Sequence, residues 1–120
     1  MSDFAPTRTT YTSNQPVWAR NFLACETHDV QLDDDTFLSA YPDRLVPTGT
    51  PIARSAAGRG VPAGTVDARV IGFLVNDTKV RPGGAHFESV VHAGTVTERL
   101  LPAGAATSAV KTALTAVVFI

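Results

Sequence analysis

The clearest candidate for metal chemistry in this 120-residue chain is a set of three polar residues in one short stretch: His86, Glu88 and His92. In an extended strand alternate side chains share a face, so all three would point the same way, and imidazole and carboxylate both ligate zinc. The same alternation places ordinary polar residues on a solvent face, and no cysteine or further histidine lies nearby in sequence to complete a ligand set. The expectation is a solvated face with no metal and no cofactor. Asp33-Asp34-Asp35 could supply calcium ligands, but a calcium loop needs a central glycine, where this chain has Leu38, and a closing glutamate, where it has Arg44. A solvated turn is expected there instead. Cys25 precedes His28 by three residues, yet a thiolate and its base must form a positioned dyad, which proximity in sequence does not supply. Cys25 therefore reads as a small buried side chain.

Gly58, Gly60 and Gly64 lack the spacing of a dinucleotide fingerprint, and no helical pattern follows to offer a phosphate-binding N-terminus. There is no G-x-S-x-G elbow and no H-E-x-x-H pair. No catalytic residue can be assigned from motifs.

The elements that would position these residues are mostly strands. Val17 to Ala24 joins aromatic and β-branched residues over a strand's length. A short apolar piece, Val30 to Leu32, follows and ends at the aspartates. Leu45 to Ala53 carries Pro47, Gly49 and Pro51, which predicts two short extended pieces around a turn. Ser55 to Gly64 reads as a surface loop. From Thr65, Val66, Ala68 and Val70 alternate with Asp67 and Arg69, and the chain then turns wholly apolar through Val75, as in a central strand. Asn76-Asp77 and Arg81 to Gly84 are turns, and Ala93-Gly94 is a further turn between His86 to His92 and Thr95 to Leu101. Ala105 to Leu114 is alanine-rich, with Val110 and Leu114 on one helical face and Thr107 or Ser108 as cap. The closing run Thr115 to Ile120 suits a strand tied into the sheet. Regular turns at this spacing predict a mostly β fold, a small barrel or sandwich with one short helix near the C-terminus.

Residues 1–16 are rich in Thr, Ser and Pro and have only two large apolar side chains, Phe4 and Tyr11, which is too little to order them alone. They read as a flexible, extended arm or else as an ordinary frayed terminus, and residues 17–120 as a single domain of ordinary size. The arm's threonines favour an extended conformation, so a neighbouring sheet edge could recruit it as a strand. Phe4, Thr9, Thr10, Tyr11 and Thr12 are the candidate binding residues within it. A formal net charge of -1 with the basic residues scattered singly argues against a nucleic-acid partner. Cys25 is the single cysteine, so no internal disulfide is possible. No apolar run reaches membrane-spanning length and no secretion signal is recognisable, so synthesis in a cytoplasm is expected, with no membrane partner.

Four stretches together resemble the small head decoration proteins of tailed bacteriophages, the lambda type and its relatives. Leu45 to Ala53, LVPTGTPIA, is similar to the "V-P-(S/T)-G-T-x-(L/I)" start of a strand in that family. Val70-Ile71-Gly72-Phe73-Leu74 is similar to its "x-x-G-(I/F)-L" core strand. Gly94 to Pro102 resembles its "G-x-(V/F)-x-x-(D/E)-x-L" segment, and Lys111 to Ile120 its closing helix and apolar strand. The order of these pieces carries the resemblance, since each alone is common. The resemblance implies a non-enzymatic cement protein with a β-tulip-like domain. It further implies a homotrimer that sits on local three-fold sites of the major capsid protein shell and stabilises the head from its outer surface, as part of the virion. Val30 to Asp43 has no counterpart in the family pattern. Two other readings stand beside it. One is a small oligomeric β enzyme acting on a sugar or nucleotide through His86, Glu88, His92 and Asp77; the other is a tail or head-completion module of different ring symmetry.

Overall fold

The computed structural model describes residues 15–120; the candidate arm residues Phe4, Thr9, Thr10, Tyr11 and Thr12 lie outside them. Strand β1 is Ala19–Arg20, β2 Glu26–Asp33, β3 Leu45–Val46, β4 Pro51–Arg54 and β5 Gly60–Pro62. They are followed by β6 Arg69–Leu74, β7 Thr78–Lys79, β8 Ala85–Val96 and β9 Val117–Phe119. Helix α1 is a single turn, Asp35–Leu38, and α2 is Ser108–Ala113.

β8 is the spine. It pairs antiparallel with β2, from Thr27 opposite Val91 to Asp33 opposite Ala85, and on its other side with β6 through Phe73–Val91 and Leu74–Val90. β4 pairs antiparallel with both β6 and β5, and a parallel contact between Leu32 and Gly60 joins β5 to β2. The circuit β8-β2-β5-β4-β6 closes on itself as a mixed barrel of five strands. Closure removes the free edges that an open sheet of these strands would expose. The choice between barrel and sandwich is thereby settled for the barrel.

Val30 and Leu32 of β2, Ile52 of β4, Leu74 of β6 and Val90 of β8 form one buried cluster, completed by Phe37, Val46 and Val80 from the connections. Four of the five strands meet there, so it is the barrel's lumen. β5 enters with Gly60, because a Cβ at that position would lie 2.7 Å from Leu32 Cδ2 and 3.3 Å from Ile52 Cγ2 and Val30 Cγ1. A second cluster lies against the outer wall: Trp18, Phe73, Val91, Val96, Val110, Leu114 and Val117. Successive residues point to opposite faces of a strand. Phe73 and Val91 therefore serve the outer core while Leu74 and Val90 serve the lumen. Burial on both faces explains why the segment from Ile71 to Val75 is continuously apolar.

Past the barrel, β8 continues between β1, antiparallel, and β9, parallel. The register shifts where Glu26 faces Ala93 but Thr27 faces Val91, so His92 is left as the extra residue of a bulge. Gly94 follows at φ +132°, and a Cβ there would lie 2.6 Å from Cys25 Sγ. Helix α2 is capped by Thr107, whose Oγ1 accepts from Val110 N at 3.3 Å, and it turns Val110 into the outer core.

Several sequence expectations are corrected. Ala93-Gly94 is a bend inside one long strand rather than a turn, since both flanks find partners. The strand expected over Val17 to Ala24 is only Ala19–Arg20, because Asn21 adopts φ 52° and Phe22–Ala24 wind into a 3-10 turn. The strand expected from Thr65 starts at Arg69, after a turn in which Ala68 N donates to Thr65 O and Asp67 takes φ 61°. β2 is far longer than its apolar piece because its outward residues, Asp29 and Gln31, are polar. The expected loop at Ser55 to Gly64 contains β5, and α1 is an additional helix in the stretch without family counterpart. Pro16 is buried and its carbonyl accepts from Ala19 N, so it packs with the fold just ahead of Val17.

Candidate functional site

Polar side chains gather at two places along the β2–β8 pair. At the first, Asp34 is almost wholly buried and its Oδ2 accepts from Arg81 N at 3.0 Å, while Asp35 Oδ1 accepts from Gly83 N at 2.7 Å. Asp34 N also donates to Gly84 O. The aspartates thus clamp the Arg81 to Gly84 turn against the barrel's end; the solvated turn expected from sequence is corrected on this point. A buried carboxylate requires such donors, since desolvation without them is costly. Gly84 permits the close approach, as a Cβ there would meet Asp34 Oδ2 at 2.5 Å. Asp34 Oδ1 has no hydrogen bond among the described residues; its charge partner there is His86 Nδ1 at 3.2 Å, and His86 Nε2 lies 3.3 Å from Glu88 Oε2. The His86 ring thus lies between two carboxylates.

At the second place, His28 of β2 and His92 at the bulge of β8 bring their Nδ1 atoms to 2.8 Å, with ring centroids 4.7 Å apart. One ring donates and the other accepts, so the contact accommodates one cationic ring but not two. His92 Nε2 turns to the exposed Glu26 carboxylate at 3.5 Å. Burial pushes the His28 pKa down, and the neighbouring His92 and Arg54 charges lower it further, against a weaker opposing pull from Asp29. His28, His92 and Arg54 line a cleft of about 460 Å³ closed on one side by Ala113 to Ala116.

The residues singled out in sequence are therefore divided. His86 and Glu88 meet, but His92 stands six residues further along the strand, roughly 20 Å away at the usual rise. Among the described residues no group of three His, Cys, Asp or Glu side chains is arranged to hold a metal ion. Asp77 is occupied elsewhere: its Oδ1 accepts from Thr48 N at 2.7 Å. Cys25 is half-buried rather than buried, with Sγ 3.8 Å from the carbonyls of Arg20 and Asn21. Sequence reasoning missed the His28–His92 pair because its members are separated by 64 positions and meet only through the β2–β8 register and the bulge.

A third feature is apolar. Val17 and Ile120, 74% and 53% exposed, face solvent beside a cleft of about 700 Å³ that they share with Arg20, Thr97, Glu98 and Arg99. Val118, on the outward face of β9 opposite Thr95, is also exposed. The chain enters the fold beside these residues, at Gln15 and Pro16. No family model matches this chain, and no curated protein matches it.

Proposed function

We propose that this protein is a phage head decoration protein, a homotrimer that binds the expanded capsid shell through its N-terminal segment and the apolar surface around it. The observation that carries the reading is the position of that surface: Val17 and Ile120 are exposed where residues 1–14 join the barrel. Large apolar side chains grouped at a surface mark contact sites more often than isolated ones do. Among the described residues β1, only two residues long, pairs with β8 alone, which leaves a sheet edge at the same place. An extended segment rich in threonine suits addition to such an edge, either on its own fold or on the shell.

The mechanism is differential affinity. A protein that binds the expanded shell better than the unexpanded one stabilises it by mass action and opposes rupture under internal pressure. Three linked segments in a trimer act together, so modest contacts at each become tight through effective concentration. The test is cosedimentation with expanded shells that lack their own decoration protein. The deletion should stop at residue 14, because Pro16 is buried in the fold. The full chain is expected to bind saturably at a fixed ratio to shell subunits, and the 2–14 deletion to remain a folded trimer that no longer binds. Undiminished binding by the deletion would remove the arm from the mechanism, and no binding by either form would end the proposal.

A further inference from the structure

We propose that the cleft between His28, His92 and Arg54 is a binding site for a small oxyanion, carboxylate or phosphate, whose occupancy rises with protonation of the histidine pair. The inference is independent of the decoration reading. Three groups able to carry positive charge line one cleft of about 460 Å³. Arg54 makes no ion pair among the described residues and stands directly opposite Arg69 on β6, a like-charge cross-strand pair that is unfavourable unless an anion offsets it. The Nδ1 atoms of the two histidines face each other, and His92 Nε2 is directed at Glu26. This leaves His28 Nε2 without a partner among the described residues. An N–H there and the Arg54 guanidinium give two donors of the kind that bind carboxylate and phosphate oxygens.

The charged groups around the site come from three strands besides β2. β2 contributes His28, Glu26 and Asp29; Glu26 is exposed and engaged by His92, and Asp29 accepts from the Ser89 hydroxyl at 2.6 Å. β8 contributes His92, β4 Arg54, and β6 Arg69. The segment Ala113 to Ala116 that closes the cleft contains no titratable side chain. The balance at the cleft is cationic once the histidine pair takes up a proton. His28 resists that proton because of burial and the two nearby cations. A bound anion reverses part of this opposition, so proton uptake and anion binding assist each other.

The experiment follows the ring signals of all three histidines by NMR in the full-length protein while chloride is replaced at constant ionic strength by inorganic phosphate or by acetate. His28 and His92 are expected to shift saturably, more strongly near pH 6 than near pH 8, and the titration midpoint of His28 to move upward. His86 serves as the internal reference and should not respond. Arg54→Met, a change at an exposed position, is expected to weaken the anion at least tenfold without altering the fold. His28→Gln should also weaken it and abolish its pH dependence. Saturation by both anions assigns a general oxyanion site; a response to phosphate alone, or to acetate alone, assigns the source. Absence of saturable shifts with either anion, or unchanged affinity in Arg54→Met, overturns the proposal.

Discussion

Gly60 and Leu32 compete for the same space in the barrel lumen, which makes the pair a sharp test of how β5 closes against β2. Leu32 is fully buried, and Leu32→Ala is expected to cost about 3 kcal/mol, in the range typical of buried leucine truncations. Gly60→Ala places a methyl 2.7 Å from Leu32 Cδ2, a clash of the overpacking kind. Gly60 is not in the left-handed region, so alanine is conformationally acceptable and stiffens the unfolded chain. The net cost of Gly60→Ala alone should be about 1 kcal/mol once that gain is subtracted. Were the two substitutions independent, the double variant would lose about 4 kcal/mol. In the lumen described above it should lose only about 2 kcal/mol, because truncating Leu32 removes the clash and the new methyl fills part of the cavity, worth about 0.8 kcal/mol. Urea unfolding at one fixed protein concentration measures all four forms, followed by far-UV circular dichroism and by Trp18 fluorescence. Trp18 is the single tryptophan and lies in the outer core, so agreement of the two probes also tests whether both cores unfold together. Additivity within about 0.5 kcal/mol would refute the shared lumen position.

Two further outcomes are expected of the fold. Trp18 Nε1 donates to Thr48 Oγ1 at 2.9 Å, and that hydroxyl donates onward to Val75 O at 2.6 Å. Trp18→Phe should lose about 2 kcal/mol, and a double-mutant cycle with Thr48→Val should show a coupling of about 1 kcal/mol; zero coupling would show that the hydrogen bond contributes nothing. The depressed pKa of His28 fixes the sign of a pH effect on stability. Its neutral form is favoured by the fold, so its contribution is complete above the ordinary histidine pKa of about 6.5 and declines as pH falls from there towards the lowered folded value. Unfolding measured from pH 8 to 5 should show this loss in chloride, a smaller loss in phosphate, and little of it in His28→Gln. A profile unchanged by His28→Gln would place the effect elsewhere.

The class of the fold and many of its punctuation marks were legible in the amino-acid order alone. The apolar run from Val70 to Val75 marks β6 and the β-branched run marks β9, Thr107 announces the cap of α2, and Gly49 sits at φ +86° in the turn its prolines predict. These features are local: rotamer preference, capping and left-handed backbone act within a few residues, so single-chain patterns report them. What the sequence left open depended on contacts between distant segments. Val90 and Val91 look alike in sequence, and only the wall that β8 forms between lumen and outer core decides which core each enters. Gly60 looked like loop chemistry until Leu32 and Ile52 stood beside it. The same holds for the candidate sites. The spacing of His86, Glu88 and His92 is legible in the strand, but a one-residue bulge opposite Glu26 and Thr27 gave His92 to His28 and left His86 to Asp34. Register is set by tertiary packing, and a shift of one residue is enough to exchange a side chain's partners.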